Sequence, residues 1–166
     1  MMKTFVICVA LLCFAVIPAP VYGQKQESDA EKLISASAVL EKKPFDRDAK
    51  NLRSWAITYL STTDEVAIVI CGGDLTRPLL DQKSKYGPEI FTQYTIAMAA
   101  YKLSAPDRKE DEDAAQLAGF NSALKTYEVL LKQNPKARTA AMDDLIAKRE
   151  KGLLKDLVVA LGCGKK

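Results

Sequence analysis

The sequence contains no histidine in 166 residues. Without imidazole there is no side chain that titrates near neutral pH, no Ser–His–Asp or Cys–His pair, and no nitrogen ligand for zinc. The glycines do not fall into GxxxxGK[ST] or GxGxxG, so no phosphate-cradling loop is expected. Asn-x-Ser/Thr is absent too, which excludes N-linked glycosylation. Charge of neither sign dominates: 24 basic residues stand against 21 acidic ones, a net +3, mixed along the chain. That mixture gives no support to nucleic-acid binding. The Lys165-Lys166 pair is too small for a membrane-binding patch.

Long hydrophobic runs are scarce as well. The unbroken apolar stretch at residues 5–17 follows Lys3 and is broken by Pro18 and Pro20. Val21-Tyr22-Gly23 then offers small residues at the −3 and −1 positions, so a secretory signal peptide, residues 1–23, cut between Gly23 and Gln24, is expected. The alternatives are a membrane anchor and a lipid-modified Cys13. The run spans only about 20 Å as helix against roughly 30 Å of hydrocarbon, and Leu12 stands where lipidation needs a small residue. Removing residues 1–23 takes away the single charge of Lys3, so +3 becomes +2. The expected mature protein is one domain, residues 24–166, periplasmic or secreted, with no membrane span after cleavage.

Of four cysteines, Cys8 and Cys13 leave with the signal, and Cys71 and Cys163 remain. An even pair in an oxidising compartment points to one disulfide, the alternative being two separate thiols. The bridge would close about 93 residues, worth roughly 4–5 kcal/mol in the chain-entropy model. A cysteine between Gly162 and Gly164 can swing to meet Cys71.

What is present is helical periodicity. In residues 110–135, Leu117, Phe120, Leu124, Tyr127 and Leu131 step by three and four onto one face. Four acids, Glu110 to Asp113, lie at the positive end of that helix dipole. Asn134 is expected in a left-handed cap before Pro135. Ser28-Asp29-Ala30-Glu31 reads as a capping box opening a first helix. Asp46 or Asp48 is expected to cap a second, with Leu52, Trp55, Ala56, Tyr59 and Leu60 on one face. Residues 66–71 are read as a helix after Thr62-Thr63-Asp64-Glu65; a buried strand is the alternative, but a lone strand lacks partners for its backbone. Gly72-Gly73-Asp74 makes a turn, and Pro78 opens a short helix through Gln82 or Lys83. Residues 88–103 are apolar nearly all round and should be central. Thr139 caps a further helix, and the last covers residues 153–161. Gly119, inside the long helix, should let another helix approach closely. The expected fold class is all-α: about seven helices packed as antiparallel hairpins, tetratricopeptide-like or an irregular bundle.

Ala123, Tyr127 and Pro135, with Leu130, have the offsets of the second helix of a tetratricopeptide repeat, and this half-repeat resembles that family. The resemblance implies a helical hairpin. Cys71-Gly72-Gly73-Asp74-Leu75-Thr76, the stretch from Gln93 to Leu103 and the stretch from Glu112 to Gly119 together resemble a set of exported bacterial proteins of unknown function. That resemblance implies an envelope or secreted location and no assigned activity.

Three functions follow as expectations. The first is a binding or scaffold domain for an envelope or secreted protein or peptide. The second is a carrier of a small apolar ligand, its cavity lined by Phe91, Tyr94, Met98 and Tyr101. Trp55 and Tyr59 are further candidate contacts, with core packing as their alternative role. The third, a histidine-independent hydrolase, would need paired carboxylates or a Ser/Lys nucleophile, with Asp74 and Asp81 the nearest acids after the glycine turn. The expectation is that the protein is not an enzyme, with no catalytic residues, no cofactor and no metal.

Overall fold

A computed structural model describes residues 27–81 and 84–163. The expected cleavage between Gly23 and Gln24 lies outside the described residues, as do Gln82 and Lys83. The described chain is all-α, with six helices packed as a bundle and no strand.

Local chemistry sets the starts of several helices. The Ser28 hydroxyl accepts the Glu31 amide at 3.1 Å and the Glu31 carboxylate accepts the Ser28 amide at 2.9 Å, completing the capping box of α1 (Asp29–Lys42). For α2 (Ala49–Thr62) the expected aspartate cap is absent: Asp48 sits at the cap position in a helical conformation and its side chain caps nothing. The chain enters α2 from a preceding backbone turn instead, the Ala49 amide bonding the Asp46 carbonyl at 3.0 Å. Pro88 opens α3 (Gly87–Ser104). α4 (Glu112–Gln133) begins two residues later than its acid run, because Asp111 is the cap and accepts the Ala114 amide at 2.9 Å. Asn134 ends α4 at φ −140° and ψ 86°, not left-handed, and Pro135 passes the chain into a short 3-10 turn, Pro135–Ala137. Thr139 caps α5 (Ala140–Glu150), and Gly162 ends α6 (Leu154–Leu161) at φ 67°.

The helix expected at residues 66–71 does not form. From Val66 to Gly72 the chain shows no helix, turn or bend. The short helix expected after Pro78 is a single 3-10 turn, Arg77–Leu80. Of the eight helical stretches read from the sequence these two are lost, which leaves the six α-helices found among the described residues.

α3 lies at the centre, with eleven of its eighteen residues buried. One side packs Tyr94 and Met98 against Phe120, Leu124 and Tyr127 of α4. The other packs Ile96 and Ala99 against Leu33 and Leu40 of α1 and Ala56 of α2. Gln93, fully buried, donates from one amide nitrogen to the Ser37 carbonyl (3.0 Å) and to Ser122 Oγ (2.8 Å), tying α1, α3 and α4 together. Lys102 meets Glu112 and Gln93 meets Ser122, so α3 and α4 run antiparallel. Among the described residues no helix is long and apolar enough to cross a membrane.

Gly119 is where the two central helices touch. A Cβ there would lie 2.7 Å from Met98 Cγ, 2.7 Å from Tyr94 Cδ2 and 2.8 Å from the Tyr94 carbonyl oxygen. The carbonyl belongs to a buried helix and has nowhere to move. Gly119→Ala therefore destabilises the fold by about 1–3 kcal/mol, despite alanine's better helix propensity. A urea-unfolding midpoint at or above wild type would contradict this packing.

Candidate functional site

Residues 63–72 form a strap across the α3–α4 pair. Thr63, at φ −84° and ψ 144°, starts it in extended backbone. Two buried side chains hold it. Lys102, in the last turn of α3, donates from Nζ to the Ala67 carbonyl at 2.8 Å. Gln116, in α4, donates from its amide nitrogen to the Val69 carbonyl. The caught carbonyls are two residues apart, the spacing that one edge of an extended chain presents. This is the physical reason the segment need not be helical: side chains satisfy the carbonyls that a lone strand would leave without partners.

Both anchors are themselves fixed. Lys102 Nζ also pairs with the Glu112 carboxylate, and the two side chains are only 5% and 15% exposed. Lys102 stands at the negative end of α3 and Glu112 at the positive end of α4, so each helix dipole favours the charge it carries. Glu112 Oε2 is buried with no hydrogen-bond partner among the described residues. Gln116 receives the Tyr94 hydroxyl at its carbonyl oxygen. A continuous chain of hydrogen bonds thus runs from the core to the strap.

Burial pushes the Tyr94 phenol well above the ordinary tyrosine range. Native Tyr94 keeps its proton when the unfolded chain loses it. Its contribution to stability is therefore complete below about pH 10 and is lost as pH rises above that, at up to about 1.4 kcal/mol per pH unit. Tyr127 acts in the same direction, chiefly through burial. Unfolding measured at pH 9 and pH 11 should show the decline, and Tyr94→Phe should make it shallower; an equal decline in the variant would contradict this assignment.

At its end the strap is tied covalently. Cys71 and Cys163 are joined with Cα atoms 6.0 Å apart, which fastens the strap to the end of α6. Beside it opens a cleft of about 570 Å³. Ala67 and Val69 of the strap, the Lys102–Glu112 pair, and the charged groups of Asp64, Glu65, Lys109 and Glu110 form its walls, with Cys163 at one end.

The aromatic residues expected at a ligand site lie elsewhere. Tyr94 and Met98 are fully buried in the α3–α4 interface, and Tyr94 packs on Phe120 with ring centres 5.0 Å apart. Phe91 stacks on Tyr94 and borders a hollow of about 190 Å³ with Leu79, Leu80 and Pro88. Tyr101 is half-buried beside the Arg108 guanidinium at 5.6 Å. Trp55 stacks on Tyr59 at 5.8 Å and carries the Lys32 ammonium 3.9 Å over its ring, at the margin of the α1–α2–α3 core.

Asp74 and Asp81 do line one groove, of about 690 Å³, with Arg77, Asp144 and Lys148. Asp74 pairs with Arg77 at 2.7 Å and Asp144 with Lys148 at 2.7 Å. The first pair is highly exposed, so solvent screens it. Among the described residues no three acidic or cysteine side chains converge as a metal centre.

Sequence reasoning missed Lys102 and Gln116. The available signal was a polar residue inside an apolar surround: Lys102 follows Ala99-Ala100-Tyr101 on a helix buried all round, and Gln116 sits between Ala115 and Leu117. No protein-family model, no curated protein and no solved structure matches this chain.

Proposed function

We propose that this chain is an exported binding domain that receives an extended segment of another polypeptide along its strap. One observation carries the reading. No backbone amide from Val66 to Gly72 donates a hydrogen bond among the described residues, while the carbonyls of Ala67 and Val69 are held from one side only. None of these residues is buried, and Val69 and Ile70 are 46% and 45% exposed. An extended backbone with one free edge is the template for β-strand addition, in which main-chain bonds supply affinity and alternate side chains supply selectivity. Export is supported by the apolar stretch at residues 5–17 and by the Cys71–Cys163 pairing.

A phage-displayed library of short peptides tests the reading. Wild type should enrich uncharged, β-branched sequences, and Ile70→Pro, which removes an edge donor from an exposed position, should not. Equal enrichment on both proteins, or none on either, would defeat it.

A further inference from the structure

Resting on that reading, we infer that the polypeptide taken up by the strap is the strap of a second copy, paired antiparallel about Ile68. In an extended chain, N–H and C=O of residue i point to the edge opposite those of i+1. Lys102 and Gln116 hold the carbonyls of Ala67 and Val69. The groups of Val66, Ile68 and Ile70 therefore point to the other edge, where no hydrogen bond is made to them among the described residues.

A two-fold axis at Ile68 places Ile68 opposite Ile68 and Val66 opposite Ile70. All three are edge-facing residues, so these facing pairs are of the doubly bonded antiparallel type, and Ala67 and Val69 form the non-bonded pairs between them. The register also fits the charges. Residues 66–70, Val-Ala-Ile-Val-Ile, carry none, and the acids Asp64 and Glu65 lie outside the paired stretch, where the chain bends. A parallel, in-register stack would instead set Asp64 against Asp64 and Glu65 against Glu65, which repel. Each strap has only one free edge, because the anchors occupy the other. Pairing is therefore closed at two copies and does not grow into a fibre. The contact is short, so the dimer is weak and depends on concentration.

Cross-linking reads the register directly. Ala67 and Val69 are both exposed, and each opposes the other across the axis with Cα atoms about 4.5 Å apart, within disulfide reach. Two copies of Ala67, by contrast, lie about 8 Å apart, beyond it. Mixing Ala67→Cys protein with Val69→Cys protein should give at least tenfold more covalent dimer than Ala67→Cys protein alone. Sedimentation velocity over about a thousandfold range of concentration should show wild type passing from monomer to dimer. Ile70→Pro should stay monomeric while keeping the wild-type circular dichroism spectrum.

A wild type that is monomeric throughout overturns the inference, and so does equal cross-linking in the two mixtures. So does a dimer that Ile70→Pro leaves intact. If the peptide library still enriches strap-binding sequences in any of those cases, only the identity of the partner is wrong; if it enriches none, the strap is not a binding edge.

Discussion

Reducing the Cys71–Cys163 bond, or replacing both residues by serine, should lower the unfolding free energy by about 4–5 kcal/mol and the thermal midpoint by about 10–15 °C. The bonded residues are 92 apart in sequence, so the tie removes much freedom from the unfolded chain. It also holds the least self-sufficient parts of the native state. α6 has eight residues and buries only Leu154 and Val158, too short to persist as an isolated helix. From Val66 to Gly72 the strap makes no backbone–backbone hydrogen bond among the described residues. The amides of α6 should lose protection first when the bond is opened. Differential scanning calorimetry with and without reductant checks this, with the double serine variant as a control that reductant cannot affect. Identical midpoints for oxidised and reduced protein would rule the bond out as a stabiliser.

Lys102→Met should cost about 3–5 kcal/mol, because it leaves the Glu112 carboxylate charged and buried without its partner. It also frees the Ala67 carbonyl, one of the two the α3–α4 pair holds, so the strap loses an anchor. The companion result distinguishes an ionic effect from a packing one. In Lys102→Met with Glu112→Leu, both charges leave together, and stability should return to wild type or exceed it by about 1–4 kcal/mol. Urea unfolding of the two single variants and the double variant gives the coupling between the residues. A double variant as unstable as Lys102→Met alone would mean that the lysine matters for the strap carbonyl and not for the carboxylate.

Much of the bundle was legible in the sequence because it is locally determined. The Ser28–Glu31 box, the Thr139 cap and the stop at Pro135 are decided within four residues. The central position of α3 follows from an apolar surface that goes all round, and the role of Gly119 from a glycine inside an apolar face. The strap was not legible. Its conformation depends on Lys102 and Gln116, which lie 35 and 47 residues away from the carbonyls they hold, and no window of neighbouring residues contains that information. Asn134 illustrates the same limit at smaller scale. Its side chain donates to the Tyr86 hydroxyl at 3.2 Å, a distant contact at the cap where local propensity suggested a left-handed turn. The aromatic residues expected to surround a ligand were also misplaced by local reasoning. Helix periodicity puts Tyr94 and Met98 on a face, but whether that face meets a cavity or another helix depends on Gly119, which lets α4 come close enough to fill the space.

The sequence distance between the two cysteines has a consequence for the order of assembly. A ribosome that has just added Cys71 must still make α3, α4, α5 and α6 before Cys163 exists. The contacts at the centre close over much shorter spans, ten residues for Lys102 with Glu112 and 22 for Tyr94 with Gln116, and short spans close quickly. The nascent polypeptide therefore builds its interior while both thiols are still apart. Oxidation comes afterwards as a latch on a finished body, and the yield of correctly bridged molecules reports how well the rest has already folded.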